Sequence, residues 1–278
     1  MVRKSRACIP GASELRELVH RKQGFIFDLD GTIYLGEQLI PGAAEAVNGL
    51  RRKGKRLAFL SNKPIALRED YAKKLNRLGI PCCVEEVINS SLVLARYLQK
   101  TRPGARVYPV AEAPVIKDLE RHGLEICEDP ERIEVVAVSW DRGFNYEKLN
   151  IAYKAALRGA ALVGTNPDRT CPMPGYRLPD AACMIAAIEA CTERKVDPIV
   201  GKPSKIMLQE VLDILRLEPE DCVLFGDRPD TDIVMAARSG ITGVLVLTGV
   251  TAREDVERLP VKPDLVLESV AELLPAIE

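Results

Sequence analysis

The sequence predicts an α/β fold built on a doubly wound parallel sheet. Three observations carry that expectation. The first 80 residues alternate strand, helix, strand, helix. The same alternation returns after Gly201. Each of three apolar strands stops on a short polar cluster, the place where such sheets bind ligands.

The elements follow in order. A short amphipathic segment carries Leu15, Leu18 and Val19. Phe25–Phe27 is a continuous apolar run, as in a parallel strand buried on both faces, and it ends in Asp28-Leu29-Asp30-Gly31. A helix is expected from Ala43 to Arg52, closed by Gly54. Arg56–Leu60 reads as a second strand, ending in Ser61-Asn62-Lys63-Pro64. Leu67, Tyr71, Leu75 and Leu78 keep a helical period that Gly79 stops. Late in the chain, Gly201-Lys202-Pro203-Ser204 opens a helix reaching about Leu217, and Val223–Phe225 is a strand followed by Gly226-Asp227. A helix running to Ser239 and a strand at Val244–Leu247 come next. The long middle has its own strands (Val107–Val110, Val135–Val138, Ala161–Val163) and helices (Tyr146–Arg158, Asp180–Glu193), with Pro81 and Pro198 as candidate edges. No internal repeat and no low-complexity linker interrupts it.

Composition narrows the function classes. At roughly 150 residues per domain, 278 residues suggest two domains. The 39 Lys+Arg and 40 Asp+Glu leave a net charge of −1, which argues against general nucleic-acid or anionic-membrane binding. Apolar runs are far too short for a membrane span, and Cys8-Ile9-Pro10-Gly11 breaks the apolar segment a signal peptide needs, so a cytoplasmic protein is expected. The two histidines, His20 and His122, lie far apart and form no zinc motif. The eight cysteines are scattered without a CxxC and read as reduced core thiols. Chemistry here therefore falls to carboxylates, lysine, hydroxyls and a hard metal ion.

Asp28 and Asp30 stand two residues apart at a strand end, so both carboxylates project the same way. Like charges held together need a cation or a proton, although an ordinary Asp-x-Asp-Gly turn explains the pair equally. Asp227 and Asp232 form a second acidic group past another strand, with a helix cap the plain alternative for Asp232. If the two strand ends meet, oxygen-only ligation selects Mg²⁺, Mn²⁺ or Ca²⁺ over Zn²⁺. Lys202 precedes a helix N-terminus, where a cation is opposed by the dipole unless an anion lies nearby; a solvated lysine is the alternative. Ser61 and Asn62 stand where free backbone N–H groups favour anions, with N-capping as the alternative. The basic residues Arg51–Lys53, Lys55 and Arg56 read as a solvated face, and no P-loop or GxGxxG competes.

Taken as an ordered set, Asp-x-Asp-Gly-Thr, Ser-Asn, Gly-Lys-Pro and Gly-Asp-x₄-Asp resemble the haloacid dehalogenase-like (HAD) superfamily. The chain looks most like its class IIA, the NagD/p-nitrophenylphosphatase-like subfamily. Ile40-Pro41-Gly42, Trp140–Tyr146, Gly164-Thr165-Asn166-Pro167-Asp168, Val200–Ser204 and Leu247-Thr248-Gly249-Val250 add to the resemblance, which covers nearly the whole chain.

The resemblance implies a Rossmann-like HAD core from residues 1–80 and 198–278, with an inserted C2-type α/β cap at 81–197 that shapes the substrate pocket. It implies an Mg²⁺-dependent phosphatase for a small phosphorylated metabolite such as a sugar phosphate, a nucleoside monophosphate or a phosphoglycolate-like ester. Asp28 would attack phosphorus to form an aspartyl-phosphate, and Asp30 would serve as acid and then base. Asp28, the main-chain carbonyl of Asp30, and Asp227 would hold the metal, supported by Asp232. Ser61, Asn62 and Lys202 would bind the phosphoryl oxygens. Asn166 and Asp168 are candidate cap contacts to substrate, or a plain turn. The family often has a second Asn where Lys63 stands and an aliphatic residue where Pro229 stands, which touches inherited specificity. Cap-mediated dimers of related proteins leave a homodimer open. Two rivals are a non-catalytic phosphometabolite-binding or regulatory protein, and a phosphotransferase.

Overall fold

The computed structural model describes residues 10–173 and 175–277. The chain opens with α1 (Ala12–Arg21), β1 (Gly24–Asp28) and a short hairpin of β2 (Tyr34–Leu35) and β3 (Gln38–Leu39). Next come α2 (Ala43–Arg52), β4 (Arg56–Ser61), α3 (Arg68–Arg77), β5 (Val87–Asn89) and α4 (Ser90–Thr101). The middle continues with β6 (Arg106–Val110), α5 (Ala113–Arg121), β7 (Glu125–Ile126), β8 (Val135–Val138), α6 (Tyr146–Leu157) and β9 (Ala161–Gly164). A hairpin of β10 (Thr170–Met173) and β11 (Tyr176–Pro179) leads into α7 (Ala181–Thr192) and α8 (Lys205–Leu215). The chain then runs through β12 (Cys222–Gly226), a π-helical turn at Pro229–Ile233, α9 (Val234–Ser239), β13 (Thr242–Val246), β14 (Leu265–Leu267) and α10 (Leu274–Ile277). Among the described residues no helix is long and apolar enough to cross a membrane.

These elements group into two compact units: Met1–Ser61 with Tyr71–Ile88 and Leu208–Glu278, and Asn62–Asp70 with Asn89–Met207. The first unit is built on a six-stranded sheet in the order β14-β13-β12-β1-β4-β5, which has the α/β architecture expected. β1 is central and pairs parallel with β4 and β12. All five of its residues are buried, as are all five of β12, which is why both read as unbroken apolar runs. Their aromatic residues stack across the ladder: Phe27 lies 5.0 Å from Phe225 and 6.1 Å from Phe59, centroid to centroid. A parallel sheet sends the carboxyl ends of neighbouring strands to one edge. Phe27 is level with Phe225 and Asp28 is level with Leu60, so Asp28, Ser61 and Asp227 emerge side by side.

The second unit has its own four-stranded parallel sheet, β7-β6-β8-β9. Its core gathers Val136, Val138 and Trp140 with Ala152, Ala155 and Ala156 of α6 and Met184, Ile185 and Ile188 of α7. That face of α7 explains a departure from the expected core thiols. Cys183 and Cys191 lie on its opposite side and are exposed, as is Cys83. Cys127, Cys171 and Cys222 are buried, and Cys8 lies outside the described residues. Burial pushes the Cys222 thiol up to about 11, so it stays protonated and inert.

The aromatic ladder yields a direct test. Phe27→Ala should cost about 3–5 kcal/mol, because the close-packed sheet cannot collapse around the lost ring. Urea denaturation checks it through a lowered midpoint at unchanged slope.

Candidate active site

The first unit concentrates carboxylates where its central strands end. Asp28 is the last residue of β1, and Asp227 directly follows β12. Asp232 sits in the π-helical turn beyond β12, where it also accepts the Arg228 N–H at 3.2 Å. All three are buried, and one carboxylate oxygen from each lies within 4.8 Å of the others. At that spacing each ionised pair repels by roughly 3 kcal/mol at an effective dielectric near 20. A hard divalent cation offsets such repulsion, and three buried oxygen donors without a nitrogen or sulfur suit Mg²⁺ or Mn²⁺. The residues present therefore fit the metal implied by the motifs.

The loop after β13 holds Asp227 in place. Val250 N–H donates to Asp227 Oδ2 at 2.8 Å, and Thr251 Oγ1 donates to the Asp227 carbonyl at 2.6 Å. Thr248 Oγ1 donates to the Gly31 carbonyl, tying this loop to the turn after β1. A Cβ on Gly249 would lie 1.9 Å from Asp227 Oδ2, so only glycine fits beside that carboxylate.

Asp30 is placed differently from Asp28. It is half-buried, bridges to Tyr34, and is not one of the three clustered carboxylates. The Gly31 N–H donates to the Tyr34 carbonyl at 2.8 Å, which closes the turn. Tyr34 itself is buried, and its hydroxyl has no hydrogen-bond partner among the described residues. Burial, reinforced by the charge of Asp30, pushes its phenol far up and keeps it neutral. Lys74 lies 3.5 Å from the ring centroid and donates to the Gly36 carbonyl at 2.6 Å, which pins the hairpin. Ser61, the last residue of β4, is buried. No spacing signal in the sequence pointed to Tyr34.

The second unit holds the remaining candidates in one hydrogen-bonded group. Lys202 is 2% exposed, which is exceptional for a lysine without a nearby anion to serve. Asn62 accepts the Lys202 N–H at 2.8 Å and donates to the Lys202 carbonyl at 3.2 Å and to Asp168 Oδ2 at 3.1 Å. Asn166 donates to Asp168 Oδ2 and to Asp180 Oδ1, each at 3.1 Å. Asp180 and Thr165 were missed as members of this group. Asp180 is visible in the sequence only as the cap of α7, a role it also performs by accepting the Ala181 N–H. Neither histidine belongs to either group: His20 lies near the end of α1, and the His122 ring bonds the Asp118 carbonyl.

Residues 25–125 match the family model of haloacid dehalogenase-like hydrolases, and residues 199–273 match a HAD-hydrolase-like model. The sugar-phosphatase AraL of Bacillus subtilis is 36% identical over 250 residues, covering 90% of this chain and 91% of the relative. Human glycerol-3-phosphate phosphatase is 33% identical over 290 residues, covering 91% and 90%. The structure of a p-nitrophenyl phosphatase from Archaeoglobus fulgidus superposes with a TM-score of 0.87 at 35% identity, covering 92% of this chain and 99% of that one.

The crowding at Gly249 makes the acidic group testable. Gly249→Ala should weaken Mn²⁺ binding by about 10- to 100-fold by displacing Asp227. Isothermal titration checks this on protein that still melts cooperatively. Unchanged affinity would remove Asp227 from the ligand set.

Proposed function

The chain belongs to the haloacid dehalogenase-like hydrolases, within the NagD/p-nitrophenylphosphatase-like subfamily, and from that premise we propose an Mg²⁺-dependent phosphomonoesterase working through an aspartyl-phosphate. It is a phosphoric monoester hydrolase acting on small phosphoesters. The observation that carries the finer reading is the buried meeting of Asp28 with Asp227 and Asp232, a cluster that among the described residues includes no histidine or cysteine. The functional division that goes with this reading is a core, residues 1–80 and 198–278, and a cap, residues 81–197.

Asp28 attacks phosphorus. The P–O bond to the leaving group breaks, and Asp30 hands its proton to the departing oxygen. Water then attacks phosphorus and gives a proton to Asp30, the bond to Asp28 breaks, and inorganic phosphate leaves. A half-buried carboxyl outside the metal cluster, as Asp30 is, suits a group that must carry a proton in one step and lose it in the next. Asp28, the Asp30 carbonyl and Asp227 would hold Mg²⁺, with Asp232 beside them. When bound, the ion offsets carboxylate–phosphate repulsion and stabilises charge on the transferring group. Ser61 and Lys202 bind phosphoryl oxygens, together with the segment at Asn62.

For substrate we propose compact sugar phosphates and polyol phosphates. The named activities of the relatives, on sugar phosphates and on glycerol-3-phosphate, support that class over nucleoside monophosphates.

Release of p-nitrophenol from p-nitrophenyl phosphate tests the reading. Turnover should vanish with EDTA and return with Mg²⁺. Asp28→Asn should lower kcat by at least about a thousandfold, since loss of a nucleophile leaves only binding contributions. Full activity in Asp28→Asn would refute the covalent route.

A further inference from the structure

The carboxamides of Asn62 and Asn166 have no N–H donor left to offer an anionic ligand. An asparagine side chain has two N–H donors and one carbonyl acceptor. Asn62 Nδ2 donates to Asp168 Oδ2 at 3.1 Å and to the Lys202 carbonyl at 3.2 Å, and Oδ1 accepts the Lys202 N–H at 2.8 Å. This orientation is forced: one side of the amide meets an N–H, the other meets two oxygens. Asn166 is spent in the same way. Its Nδ2 donates to Asp168 and Asp180, and its Oδ1 accepts from Thr165 Oγ1 at 2.8 Å. Asn166 is fully buried and Asn62 nearly so.

The backbone shows what the group holds. Gly201 N–H donates to the Thr165 carbonyl at 2.7 Å, and Val200 N–H to the Gly164 carbonyl at 2.9 Å. A Cβ on Gly201 would lie 2.4 Å from the Thr165 oxygen and 2.7 Å from Asn62 Oδ1. Residues 200–202 are thus clasped between the 164–166 loop and the Asn62 carboxamide. Thr165 Oγ1 lies 3.1 Å from Ser139 Oγ at the end of β8, and Ser90 Oγ donates to the Asn62 carbonyl at 2.6 Å. The two amides that converge on Asp168 Oδ2 make that single oxygen the joint of the assembly.

We infer that Asn62, Asn166 and Asp168 are positioning residues that seat the Lys202 main chain, and that neither Asn62 nor Asn166 donates its side chain to substrate. Asp168 acts as a hydrogen-bond acceptor, and its negative charge is not what the site uses. The substrate contacts that the resemblance implies for Asn166 and Asp168 then fall to other residues. This rests on the phosphatase reading only in giving Lys202 a phosphate to bind.

Asp168→Asn keeps an acceptor oxygen for both amides and removes the charge, whereas Asp168→Ala removes both. Two readouts separate the outcomes. The first is kcat/KM on p-nitrophenyl phosphate and on a hexose phosphate, which share a phosphoryl group and differ in everything else. The second is labelling of Lys202 by an amine-reactive reagent, read by peptide mass, which needs no turnover. Asp168→Asn should stay within about threefold of the unsubstituted protein on both esters. Asp168→Ala should lose about 10- to 100-fold by the same factor on both, because misplacement of a phosphate-binding group is blind to the leaving group. Lys202 should be protected in the parent and in Asp168→Asn, and labelled in Asp168→Ala. Loss in Asp168→Asn equal to that in Asp168→Ala would overturn the inference, as would an Ala loss that differs between the esters or Lys202 labelling that does not change. If Asp168→Ala fails to fold, Asp168→Asn decides alone: retained activity and protection support the inference, and their loss overturns it. A parent protein that releases no phosphate would sink the phosphatase reading, while the labelling result would still judge the positioning role.

Discussion

Mutual repulsion among Asp28, Asp227 and Asp232 is the constraint on which the first unit depends. Three buried carboxylates within 4.8 Å are unfavourable in an empty protein and favourable around a divalent cation. The sheet bears that cost. β1 and β12 are paired in a register that brings their acidic ends level, and stacked Phe27 and Phe225 stabilise that pairing directly below. Hydrogen bonds from Val250 and Thr251, with bare Gly249 between them and the turn after β1, keep Asp227 from swinging away. Stability invested in the sheet is thus used to hold charges that would otherwise separate.

The second unit meets the opposite problem, a buried ammonium-bearing residue on a short loop. Its solution is amide chemistry. Every polar atom of two asparagines is committed to backbone, to a carboxylate or to the Thr165 hydroxyl, so the loop carrying Lys202 has one arrangement rather than several. Fully satisfied buried networks of this kind confer rigidity, which the phosphate-binding role proposed for Lys202 needs if its charge is to act without reorganisation.

Much of this was legible in the sequence because the signals were local and strong. The unbroken runs at Phe25–Phe27 and Val223–Phe225 mark buried parallel strands, and a helix at Ala43–Arg52 is found end to end. Other elements left weaker traces. α4 buries Leu92, Val93, Leu94, Ala95 and Leu98, so its apolar residues surround it rather than keeping one face. β5 and β14 are only three residues long, and β2 and β3 two each. At the site, strand-end position identified Asp28 and Asp227, but nothing in their spacing separates Asp30 from Asp28; the Tyr34 bridge does that. Asp232 reads in the sequence as a helix cap, but it caps neither the π-helical turn nor α9; it accepts the Arg228 N–H and belongs to the acidic cluster. Asp168 bonds Asn62, 106 residues away, and Asn166 bonds Asp180 across the β10–β11 hairpin, pairings that no local pattern encodes. The motif-based limits at 80 and 198 differ from the boundaries at 88–89 and 207–208, and the second unit also takes in Asn62–Asp70.

The covalent route through Asp28 is the central claim, and trapping it is the most direct measurement. Protein mixed with p-nitrophenyl phosphate and Mg²⁺, quenched in acid within the first turnover and digested, should yield the peptide containing Asp28 carrying one phosphoryl group. That adduct should be absent from Asp28→Asn and should disappear on base treatment, as an acyl phosphate does. Phosphate release with no adduct at any quench time, or an adduct on another residue, would contradict the account.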